Sequence, residues 1–124
     1  MNSLSVYNPA TDELICTLLQ DDAASVTAKA VQARTAQAAW AKTPLAERKA
    51  CITRFRSGIT AELDALAAIM TRETGKPITM SRNELNGLLG RIDFFLAEVD
   101  ASTATQTVFD DSGMTEQIDR KSVV

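Results

Sequence analysis

The chain has no histidine among its 124 residues. That absence removes every Ser-His and Cys-His nucleophile pair and the commonest transition-metal ligand. Cysteine is nearly absent too. Cys16 and Cys51 are too few and too scattered for a disulfide framework or a zinc site, and read as free, half-buried thiols. No apolar run is long enough to span a bilayer. Met1-Asn2-Ser3 carries no positive charge and no apolar stretch follows it, so no secretory leader is expected and the cytoplasm is the expected location. There is no excess of positive charge: 13 basic residues stand against 16 acidic ones, a net charge of -3 without a basic tract. Nucleic acid and anionic membranes are therefore poor partners. Aromatic residues supply only 5% of a chain that is 45% hydrophobic, which favours alanine-rich helix over a β-sandwich.

Catalytic patterns are missing as well. No GxGxxG follows a strand, so the dinucleotide fingerprint is absent. General acid and base work needs two carboxylates in unlike environments. Glu62 and Asp64 share a helical stretch with nothing to place them in an apolar cleft, and Glu73 reads as a turn residue beside a helix stop. A self-sufficient enzyme is not expected from these residues.

What is present is architecture, organised around Glu73-Thr74-Gly75-Lys76-Pro77. Glycine reaches the left-handed conformation that ends a helix, and a proline two residues later cannot continue it. Gly-Lys also suggests a phosphate-binding loop, but that motif needs GxxxxGK followed by Ser or Thr after a strand. Here a helix precedes the pair and Pro77 follows it. The turn reading is the one taken.

Before this turn, Ser5-Val6-Tyr7 and Leu14 to Leu18 flank the turn formers Asn8-Pro9-Ala10-Thr11-Asp12, predicting a two-stranded ribbon over about 5–18. Asp21 and Asp22 are placed to cap a helix over about 22–41. Its face of Val26, Ala30, Ala33 and Ala36 suits close packing, with Trp40 as a core anchor. Thr43 as N-cap and Pro44 at the first helical position open a second helix over about 44–74. Leu45, Ile52, Ile59 and Leu66, joined by Phe55, Leu63, Ile69 and Met70, form its inward stripe, and Arg48, Lys49, Arg54 and Arg56 a solvated basic face. A third helix is expected over about 79–101, with Ser81-Arg82-Asn83-Glu84 in the form of a capping box. Leu85, Leu88, Leu89, Ile92, Phe95, Leu96 and Val99 make it the most buried of the three. Gly87 and Gly90 suggest close approach of another backbone. Residues 102–114 read as irregular, and a terminal strand over about 116–124 has no partner in the sequence.

The expected class is thus mainly α with a small ribbon, and uncovered helix and strand surfaces suggest self-association.

Taken in order, Tyr7-Asn8-Pro9-Ala10-Thr11-Asp12-Glu13, the alanine-rich helix to Trp40, Pro44 with Glu47-Arg48, Glu73-Thr74-Gly75-Lys76-Pro77 and Ile92-Asp93-Phe94-Phe95 resemble the N-terminal part of the NAD(P)-dependent aldehyde dehydrogenase superfamily. The resemblance covers residues 5–99 and implies a partial piece of an α/β enzyme fold. Residues 1–124 would form one partial domain, the N-terminal portion of the cofactor-binding domain. The parent reaction it implies is NAD(P)-dependent oxidation of an aldehyde to a carboxylic acid. The family's nucleophilic cysteine, general-base glutamate, oxyanion asparagine and Gly-rich cofactor loop all lie downstream of the part resembled. Neither Cys16 nor Cys51 matches the nucleophile's motif. No catalytic or cofactor-binding residue is carried over, and no cofactor is expected on this chain alone; NAD or NADP belongs to the parent. By position, Gly87 and Leu88 would stand nearest the substrate-tunnel wall. The family's turn is usually NPATGE, so Asp12 occupies a glycine position. The rival reading is a free-standing helical interaction module that keeps the scaffold.

Overall fold

The structure, a computed structural model, describes residues 2–119. Strands β1 (Ser3–Tyr7) and β2 (Leu14–Leu19) lead into helices α1 (Ala23–Trp40), α2 (Leu45–Ala61), α3 (Leu63–Thr74) and α4 (Ile78–Thr103). Strands β3 (Gln106–Asp111) and β4 (Met114–Ile118) follow. The mainly helical class holds, with four helices in place of three. The chain divides into two compact units, Met1–Leu89 and Gly90–Val124.

In the first unit, β1 pairs antiparallel with β2, Leu4 opposite Leu18 and Val6 opposite Cys16. Asn8 accounts for the turn: its carbonyl accepts the Asp12 N–H at 2.8 Å and its side chain accepts the Ala10 N–H at 3.0 Å. Asp12 sits at φ 58. The left-handed conformation is therefore kept where the family pattern has glycine, at the steric cost an L-residue carries there.

Asp22 caps α1 as expected, accepting the Ser25 N–H at 2.8 Å. The expected packing face does not close. No residue of α1 is buried, and Trp40 is 42% exposed. Thr43 is not the cap of the next helix either. Its hydroxyl donates back to the Ala39 carbonyl at 3.4 Å, while Pro44 takes the cap position with ψ 144. A proline at that point forgoes a side-chain cap, and Glu47 in the first turn meets the dipole instead.

The long second helix is broken at Glu62, which leaves helical geometry at φ -104, ψ 14. Glutamate is a good helix former, so propensity does not set the break. Buried Ile59 and Ala67 stand on either side of it. Of the expected inward stripe, Ile59 is buried and Leu45, Leu63 and Met70 are half-buried, while Ile52, Phe55, Leu66 and Ile69 are exposed. On α4, Leu85 and Leu89 complete the small core of this unit. Arg54 is exposed as expected of a solvated face, whereas Arg48, Lys49 and Arg56 are half-buried.

In the second unit, Ile92 is buried and Leu96 and Val99 are half-buried. Residues 106–118 form a hairpin, correcting the irregular reading of 102–114 and supplying the partner that the terminal strand lacked. Its turn has Ser112 at φ 52 and Gly113 at φ 86, the two left-handed positions of a tight hairpin turn. The part of the expected strand beyond residue 119 lies outside the described residues. Among the described residues no helix is long and apolar enough to cross a membrane.

Candidate functional site

The Glu73-Thr74-Gly75-Lys76-Pro77 motif forms the corner between α3 and α4. Gly75 closes α3 at φ 73, ψ 1, and its N–H donates to the Thr71 carbonyl at 2.9 Å. The helix stop is thus the left-handed glycine cap that the sequence indicated. Pro77 then begins the next helix rather than merely ending the last: its carbonyl accepts the Met80 and Ser81 N–H groups at 2.9 and 3.2 Å.

This early start overturns the capping-box reading. Ser81 lies inside α4, is fully buried, and shares a hydrogen bond of 2.9 Å with the Thr71 hydroxyl across the corner. A buried hydroxyl without a partner is costly, and this pairing satisfies both. Glu84 accepts from the Lys76 ammonium group instead of reaching back to the backbone of Ser81. The charge of Lys76 is therefore engaged within the fold, which accords with the turn reading over the phosphate reading. A third bond, Arg82 Nε to Asp64 Oδ1 at 2.8 Å, joins the two helices at the surface. Sequence reading missed the Thr71–Ser81 and Lys76–Glu84 pairs. Their only signal was polar residues facing one another across a turn whose angle the sequence does not state.

Gly87 and Leu88 lie in mid-α4. Leu88 is 40% exposed, and a Cβ added at Gly87 or at Gly90 would meet nothing within 4 Å. Among the described residues no other backbone approaches either glycine, contrary to the expectation. Cys16 and Cys51 are free and half-buried. Among the described residues, no group of His, Cys, Asp and Glu could hold a metal ion.

The clearest electrostatic feature lies at the start of α1. Lys29 donates to both carboxylate oxygens of Asp21, at 2.7 and 2.6 Å, and with help from Ser25 holds that carboxyl below its usual range. The Ser25 backbone and hydroxyl lower Asp22 likewise. Asn2, Gln20, Asp21 and Asp22 line an open groove of about 340 Å³. Its lining is negative and polar, the wrong sign for the phosphates of a dinucleotide. Glu62, Asp64 and Glu73 are all exposed.

The corner joins α3 to α4 through the Thr71–Ser81, Lys76–Glu84 and Arg82–Asp64 pairs. The chain matches the aldehyde dehydrogenase family over residues 1–123. It is 38% identical over 85 residues to N-succinylglutamate 5-semialdehyde dehydrogenase 1 of Caulobacter vibrioides, covering 68% of this chain and 18% of that protein. The N-succinylglutamate 5-semialdehyde dehydrogenase of Chromobacterium violaceum is 35% identical over 94 residues, covering 76% and 19%. In fold, the chain is similar to a crystal structure from Bacillus subtilis of a protein assigned as an aldehyde dehydrogenase, with a TM-score of 0.79 at 23% identity. That likeness covers 90% of this chain and 25% of the other. The chain spans about a fifth of the length of these two relatives. With the ribbon, the helix corner and the whole matched span in agreement, the chain belongs to the aldehyde dehydrogenase family and corresponds to an N-terminal segment of it.

Proposed function

We propose that this chain contributes scaffold, and no reacting group, to the NAD(P)-dependent oxidation of an aldehyde to a carboxylic acid. The observation that carries this reading is the family match over residues 1–123 on a chain whose α3–α4 corner holds the Thr71–Ser81 and Lys76–Glu84 pairs. It is the N-terminal portion of the cofactor-binding domain of such an enzyme, located in the cytoplasm, with NAD or NADP bound by the parent. The names of the relatives make N-succinylglutamate 5-semialdehyde the first aldehyde to try. The free-standing module is not favoured by these matches.

Gly87 and Leu88 are the residues we place nearest the substrate tunnel, a placement supported by the 40% exposure of Leu88 between buried Leu85 and Leu89. The test has two arms. The 124-residue chain alone should form no NADH or NADPH from that aldehyde. A chimera carrying residues 1–99 in place of the matching segment of the Caulobacter enzyme should form it, and Leu88→Trp in the chimera should raise KM more than it lowers kcat. Aldehyde-dependent turnover by the short chain would overturn the scaffold reading.

A further inference from the structure

We propose that the contact between Pro9 and Gly75 is a latch that fastens the β1–β2 ribbon to the α3–α4 corner. A Cβ built at Gly75 would lie 2.9 Å from Pro9 Cγ and 3.8 Å from Pro9 Cβ. The first distance is too short for any side chain to share, so the missing Cβ of Gly75 is the notch that the proline ring fills. Gly75 is thus fixed twice, by its φ of 73 and by the ring against it. The other left-handed glycine, Gly113, has nothing within 4 Å and answers only to its backbone.

On the ribbon side, Pro9 is held by the two hydrogen bonds that Asn8 accepts from Ala10 and Asp12. On the helix side, Gly75 is held by its bond to Thr71, whose hydroxyl engages buried Ser81. The two turn motifs therefore interlock through a single shape match between rigid ends. A two-stranded ribbon is marginal alone. Fastened at its turn, it keeps Val6 and Cys16, paired across the strands, half-buried.

Cys16 provides the readout. In a Cys51→Ser background, the rate at which a soluble disulfide reagent labels Cys16 reports opening of the ribbon. Gly75→Ala should raise that rate roughly 5- to 30-fold, and Pro9→Ala should raise it less. In the double variant the rate should fall below the product of the two single effects, because the clash made by the new Cβ is with the proline ring itself. Should Gly75→Ala fail to fold, Pro9→Ala still decides the matter: exchange of the Gly75 amide, on the far side of the contact, should quicken. A turn residue that acted only within the ribbon would leave that amide unchanged. Single effects that multiply in the double variant, or a Gly75 amide indifferent to Pro9→Ala, would overturn the latch.

Discussion

At the scale of single residues, two kinds of position do most of the shaping. One is the left-handed turn. Gly75 and Gly113 share that conformation, but only Gly75 has a neighbour where a side chain would go. Gly113→Ala should cost about 1–2 kcal/mol in stability from backbone strain alone. Gly75→Ala should cost more, and urea unfolding of the two variants side by side measures the difference. The other is the charged helix start. Asp21 and Asp22 both titrate below the ordinary value of 3.8. A carboxyl whose folded pKa is lowered stabilises the fold fully above its unfolded value and loses that contribution as pH falls through the folded one. Helicity of α1 should therefore be flat from neutral pH down to about 4 and decline below it, and Asp22→Ala should flatten part of that decline. Circular dichroism against pH checks both.

At the scale of elements, the α3–α4 corner is better specified than any other junction described. Hydrogen bonding, an ion pair and a left-handed cap converge within a few residues. Ser81→Ala should cost about 1 kcal/mol, since it leaves the half-buried Thr71 hydroxyl without its partner. Thr71→Ala combined with Ser81→Ala should cost less than the sum, a double-mutant cycle read by urea unfolding. The surface pair of Arg82 and Asp64 has exposed side chains, so its removal should change stability little. The hairpin is amphipathic. Thr107 bonds Gln117, and Asp110 bonds Thr115, at 3.3 and 3.1 Å on one face. Phe109, Met114 and Ile118 alternate onto the other, where they remain exposed.

At the scale of the molecule, the buried hydrophobic residues among those described are Ile59, Ala67, Leu85, Leu89 and Ile92. Against these stand exposed large side chains on every helix, Val31 and Trp40, Phe55, Ile69, and Phe94 and Phe95 among them. So small a core leaves little reserve. Leu89→Ala, worth about 2–5 kcal/mol at a buried site, should abolish the cooperative unfolding transition. Exposed apolar surface on this scale drives association in water. Purified alone, the chain should scatter light with a mass above its 13.4 kDa and bind a hydrophobic dye.

The sequence by itself determined the local features. The Asn8 turn, the Asp22 cap and the Gly75 stop each depend on residues only a few positions apart, so side-chain chemistry decides them directly. The hairpin over 106–118 does not belong with them, because its first strand lies in a stretch that reads as irregular on composition. The ordered motifs also determined the family. What only the tertiary structure decided depends on distant neighbours: the burial of Ser81, the exposure of Trp40 and the notch at Gly75 filled by Pro9. A helical stripe shows which face could be buried, and only the elements that arrive against it determine whether it is. Here few arrive, and the stripes of α2 and α3 stay largely open.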